Sequence, residues 1–128
     1  GLDFTLAFRR LSERACPQAV PEPHRVGKWF SFPPAFDSWL ARWRDRLRQQ
    51  DRSEPEIGKS MRENNPLLIP RNYQVNDAIE QAVKHGDDEK FHDLVDVLTH
   101  PFDWPDHHEE FLQPPTSQQR VDTTFCGT

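Results

Sequence analysis

The most reactive groups in this sequence are two thiols, Cys16 and Cys126. Cys126 stands third from the C-terminal residue, where a chain end can carry its sulfur to a distant thiol and form a regulatory disulfide. The plain alternative is an inert terminal thiol. Cys16, beside Pro17 in what reads as a loop, has less to recommend it. Two cysteines are too few for the disulfide framework of a secreted domain, so a reducing compartment is expected. A second polar group runs Asp103, Asp106, His107, His108, Glu109, Glu110. Zinc-type sites on helices want histidines four apart with a further ligand elsewhere, and adjacent His107 and His108 cannot easily bind one ion. That stretch reads as a solvated polar loop, and no metal site is expected in this chain. The five glycines are Gly1, Gly27, Gly58, Gly86 and Gly127, and no two lie within twenty residues of each other. No glycine-rich phosphate loop can be assembled from them. No nucleotide-binding and no catalytic residue is therefore assigned.

The arginines form the last chemical candidate. Arg42, Arg44, Arg46, Arg48 and Arg52 face only Asp45 and Asp51 over residues 42–52, with Trp39 and Trp43 interleaved. Such a pattern can serve as a phosphate or nucleic-acid surface. The tryptophans, however, share an apolar stripe with Phe36, Leu40 and Leu47, while the arginines flank it, Arg42 and Arg46 on one side, Arg44 and Arg48 on the other. An amphipathic helix packed into a core is the favoured reading. With a formal charge of -5, no nucleic-acid partner is expected.

These residues must be positioned by helices. Phe4, Phe8 and Leu11 recur at helical spacing over about Asp3–Glu13, closed by Cys16-Pro17. Five prolines between 17 and 34 predict an extended or turned segment anchored by Val26, Trp29, Phe30 and Phe32. A second helix is expected over about Ala35–Gln50. A third starts at the Ser53 cap, with Glu56 three residues on and Pro55 in its first turn, and runs to about Glu63. Val75, Ala78, Ile79 and Ala82 predict a helix over about Tyr73–His85; Phe91, Leu94, Val95 and Leu98 predict another over about Asp88–Thr99. Gly86 and Asp87 between them suit a helix stop and a cap, so an antiparallel αα-hairpin follows at about 73–99. No strand signal competes, and the fold class is all-α with about five helices.

The apolar fraction is 34%, below the ~45–50% of ordinary domains even after the glycines are added, and mean hydropathy is -0.89. Twelve prolines are about twice the usual share. A thin core with many prolines suits a domain that leans on something else rather than a free-standing enzyme. No run of 18 apolar residues exists, so no membrane partner is expected. The chain opens on Gly1 and enters its first amphipathic pattern at once, which reads as a fragment of a larger protein. Residues 1–100 are expected to form a helical domain and 101–128 an extended tail, whose Phe102, Trp104, Phe111, Leu112 and Phe125 should bury against the helices or against a missing domain.

One stretch is distinctive. Met61, Arg62, Glu63, Asn64, Asn65, Pro66, Leu67, Leu68, Ile69, Pro70, Arg71 and Asn72 match the pattern M-R-x-x-N-P-x-x-I-P-R-N. Ala78-Ile79, Gly86-Asp87, Pro101-Phe102, the pair Pro114-Pro115 and Cys126 follow in order, and Phe8, Arg9 and Leu11 precede them. In these features the chain resembles the C-terminal part of the selenoprotein O family, in its bacterial, cysteine-containing form. The resemblance implies a kinase-like parent that binds ATP in a flipped orientation and transfers AMP to Ser, Thr or Tyr hydroxyls of proteins, using Mg or Mn. It places the nucleotide site upstream of this region, so ATP and metal are cofactors of the parent and of no residue here. It makes the upstream kinase-like lobes and the parent's protein substrates the partners. Asn65, Pro66, Ile69, Pro70, Arg71 and Asn72 become structural motif residues. Cys126 matches the family's redox-active position, thought to pair with a cysteine of the activation segment. Locally the chain departs from the pattern: Phe125 precedes the cysteine and Gly127-Thr128 replaces a serine pair. The resemblance further implies a cytoplasmic location in a bacterium, or a mitochondrial one in a eukaryote. A helical module that binds a protein partner on its own is the competing reading.

Overall fold

The computed structural model describes residues 2–119, and over them the chain is all-α: five α-helices joined by 3-10 turns, without a strand. They are α1 (Phe4–Ala15), α2 (Asp37–Arg48), α3 (Glu54–Asn64), α4 (Asn72–His85) and α5 (Glu89–Thr99). Local chemistry explains most of their ends. The Asp3 carboxylate accepts the Leu6 amide at 3.0 Å and caps α1. A full capping box opens α3, with Ser53 N–H donating to Glu56 Oε2 at 2.8 Å and Glu56 N–H to Ser53 Oγ at 3.5 Å. The Ser53 bonds also hold the Glu56 carboxyl below the usual carboxylate range. Gly86 closes α4 with φ 66°, the left-handed geometry that lets its amide bond back to Ala82 O at 3.1 Å. The cap expected at Asp87 falls one residue later, at Asp88, while the Asp87 side chain accepts the Glu89 amide at 3.1 Å. Prolines open several of the tight turns between α1 and α2, at Pro17–Ala19, Glu22–His24 and Pro34–Phe36. The last of these takes the place of the expected first turn of α2.

The chain divides into two compact units, Gly1–Leu67 and Leu68–Thr128. In the first, α1 and α3 pack together, and Leu6, Ala7, Leu11, Ala15, Val26, Leu40, Ile57 and Leu67 are buried. Gly58 permits the close approach: a Cβ there would stand 2.9 Å from Cys16 Cβ. An aromatic ladder runs through Phe30, Phe32, Phe36, Trp39 and Trp43, with successive ring centroids 5.0, 5.6, 6.2 and 6.1 Å apart. In the second unit α4 and α5 form the hairpin, and Leu68, Ala78, Leu94, Val97, Phe111 and Leu112 are buried. The described part of the tail lies against this unit. Leu68 N–H donates to Pro101 O at 3.0 Å, and a 3-10 turn at Glu109–Leu112 buries Phe111 and Leu112.

The expected core faces of four helices are corrected. Phe4 is 69% exposed and Phe8 is also exposed, because α1 turns Leu6, Ala7, Leu11 and Ala15 inward. Ile79 on α4, and Phe91 and Val95 on α5, are likewise exposed; Ala78, Leu94 and Val97 carry the burial. On α2 only Leu40 is fully buried, and Trp39 is exposed. Each of these helices has more apolar residues than one contact face can cover, so a stripe read from spacing alone can be offset by a residue or more.

Candidate functional site

The motif that spans Asn65–Asn72 falls across the division between the units, so each half is built separately. Its first half ends α3. Asn65 is the C-terminal cap, and its side-chain amide donates to Met61 O at 2.6 Å. Arg9, from α1, donates through Nη1 to Arg62 O and to Asn65 O, both at 3.2 Å. A guanidinium on the carbonyl end of a helix satisfies unpaired acceptors and opposes the negative end of the helix dipole. Pro66 follows the cap, where a residue without an N–H ends the helix at no further cost.

The second half starts α4. Pro70 precedes Arg71, whose extended backbone is the N-cap of the helix; its carbonyl accepts the amides of Gln74 at 2.9 Å and Val75 at 3.0 Å. Arg71 is buried, while Ile69 is half-buried and Asn72 exposed. Beyond the motif, Gln74 is also buried. Its Nε2 donates to Phe111 O at 3.2 Å and lies 3.0 Å from Tyr73 Oη, and the Tyr73 hydroxyl donates to Gln113 O at 2.8 Å. The motif therefore caps, turns and ties down chain, and it assembles no nucleophile with a base.

Cys16 is a free, buried cysteine at the C-terminal cap of α1, enclosed against Gly58. Cys126 lies outside the described residues. Among the described residues no group of three or more His, Cys, Asp or Glu side chains is placed to hold a metal ion. His108 lies 3.3 Å from Glu110 Oε1 and 3.9 Å from Asp93 Oδ1, the weaker contact of the two. No described helix is long and apolar enough to cross a membrane.

A buried carboxylate escaped the sequence reading altogether. Glu13 is 3% exposed; Oε1 accepts the Val26 amide at 2.8 Å and Oε2 accepts from Arg10 Nη1 at 2.7 Å. It fixes the Val26–Lys28 turn to α1. Gly27 lies under the Arg10 guanidinium, 3.0 Å from where a Cβ would sit. The Arg10–Glu13 spacing of three was the one available signal. Gln74 offered none and Arg9 entered only with the family resemblance, since their partners are carbonyls distant in sequence.

The family model described as protein adenylyltransferase SelO matches residues 1–99 of the chain. The chain belongs to the SelO family. Among its relatives is a protein nucleotidyltransferase YdiU of Nitrobacter hamburgensis, 42% identical over 127 residues, which takes in 98% of this chain and 24% of the relative. The Rhizobium johnstonii protein of the same name is 42% identical over all of this chain and 25% of its own length. That of Anoxybacillus flavithermus is 35% identical over 99% of this chain and 24% of its own. The chain thus spans about a quarter of the length of the curated relatives it matches. No solved structure matches it. In this member of the SelO family, Arg9 and the Asn65–Asn72 segment act locally, closing α3 and opening α4.

Proposed function

We propose that this chain is the helical C-terminal region of a protein adenylyltransferase of the SelO family, supporting its kinase-like lobes without holding the nucleotide. The observation that carries this reading is the family match over residues 1–99 by a chain a quarter the length of its relatives. The activity belongs to the whole parent: a Ser, Thr or Tyr hydroxyl of a protein substrate attacks the α-phosphorus of ATP, the bond to the β-phosphate oxygen breaks, and pyrophosphate leaves. Mg or Mn in the parent would neutralise the phosphate charge. The role assigned to the present region is support. Exposed Phe4 and Phe8 on α1, and Ile79, Val83, Phe91 and Val95 on the hairpin, are more apolar surface than scattered exposure explains, and the parent's lobes would cover it. Cys126 is the proposed redox residue, its thiolate forming a disulfide with a cysteine of the parent's activation segment when an oxidant accepts the two electrons.

A test uses α-labelled ATP with the parent protein, with a parent lacking this region, and with the chain alone. Label is expected on protein with the intact parent and not with the chain alone. Transfer by the isolated chain would overturn the supporting role. Replacing Cys126 with Ser should remove the sensitivity of the parent's labelling to thiol reductants. The exposed apolar faces also suit an independent module that binds another protein; unchanged folding and activity of the truncated parent would favour that second reading.

A further inference from the structure

A cleft of about 280 Å³ opens in the first unit, and four of its lining side chains are arginines: Arg14 of α1, Arg44 and Arg48 of α2, and Arg52 ahead of α3. Ile57 supplies apolar wall, and among the described residues Glu54 is the one acidic side chain in the lining. The positive charge is only partly answered nearby. Arg48 pairs with Asp45 at 2.8 Å in an exposed bridge, and Arg52 donates to the Glu56 carbonyl at 3.1 Å. Arg14 has its Nε buried without a hydrogen-bond partner, and its guanidinium lies 5.9 Å from the Phe32 ring centre. Burial first, then the neighbouring Arg10 and Arg44, push its pKa down, and Asp37 opposes this more weakly. Packing thus holds like charges around a concave space, an arrangement that a multiply charged anion relieves.

We propose that this cleft binds an inorganic oligophosphate, gripped by Arg14, Arg44, Arg48 and Arg52. The guanidinium fork presents paired N–H donors that match phosphate oxygens, which a compact phosphate chain offers at several points along its length. Among the described residues nothing aromatic lines the cleft, so a base would find no stacking partner there, and the phosphate chain alone is the recognised group. The site is independent of the role proposed for the parent.

The test is calorimetric titration of the 128-residue chain with tripolyphosphate, without metal, at roughly 50 mM and 200 mM salt. Saturable binding is expected, weaker at the higher salt. The double variant R44A/R48A should lose about tenfold or more in affinity, the scale of charge-assisted hydrogen bonds. The variant R42A/R46A removes the same charge from residues of α2 that do not line the cleft, and should lose far less. D45A frees Arg48 and should tighten binding, a gain that no loss of folding can mimic. Equal losses in the two double variants would reveal diffuse attraction and overturn the site, as would an unsaturable titration. ATP serves as the second ligand: affinity equal to or below that of tripolyphosphate supports the inorganic source, and much tighter ATP binding would refute it.

Discussion

Gly58 lies in the middle of α3, where replacing glycine by alanine ordinarily stabilises a helix by about 1 kcal/mol. Here the sign is predicted to reverse. The new Cβ would stand 2.9 Å from Cys16 Cβ and 3.2 Å from Arg62 Nη1. The Arg62 contact is with the end of a long side chain, which can move aside. The Cys16 contact is with an atom bonded to the backbone of the α1 cap, and it can be relieved only by separating α1 from α3. Overpacking of this kind costs about 1–3 kcal/mol, so Gly58→Ala should destabilise by a net amount of up to about 2 kcal/mol after the helical gain is subtracted. Cys16→Gly removes the obstructing atom. In that background the same Gly58→Ala change should stabilise, by about 0.5–1 kcal/mol. A double-mutant cycle followed by urea denaturation, with helical circular dichroism as the signal, measures both values. If Gly58→Ala has the same effect with and without Cys16, the close packing of α1 on α3 is not what selects glycine, and the reasoning fails.

Glu13→Ala should destabilise by about 1–3 kcal/mol, because the buried Val26 amide loses its acceptor, whereas Glu13→Gln keeps an oxygen and should cost less; thermal melts of the two variants check this. Gly86→Ala should cost about 1–2 kcal/mol, all of it from the left-handed backbone, since nothing lies within 4 Å of an added Cβ; Gly86→Asn should cost less in the same melts. The Lys90 hydrogen bond holds the Asp77 carboxyl below its ordinary range, so its contribution is complete above the unfolded value of about 3.9 and is lost as pH falls through the lower folded value. Both side chains are over a third exposed, so the loss should stay below about 1 kcal/mol; Lys90→Met should flatten the stability–pH curve in that acid window, and an unchanged curve would dismiss the pair.

Helix ends and helix faces were legible to different degrees. Ser53, Glu56, Gly86 and the prolines act on their immediate neighbours through one or two bonds or a fixed φ, so the sequence alone placed all five helices to within about two residues at most ends. The N-P-x-x-I-P-R-N pattern likewise carried family membership by itself. Only the tertiary structure decided which apolar residues are covered. On α1 the residues Phe4, Leu6, Ala7, Phe8 and Leu11 support more than one inward stripe, and packing on α3 at Gly58 selects the one through Leu11 and Ala15. It also decided that Glu13 and Gln74 are interior. Their partners are backbone groups of Val26 and Phe111, 13 and 37 residues away, and a hydrogen bond to a distant backbone leaves no mark on the residue types that make it. The convergence of Arg14, Arg44, Arg48 and Arg52 on one cleft is of the same kind, since three separate segments must pack before their charges share a space.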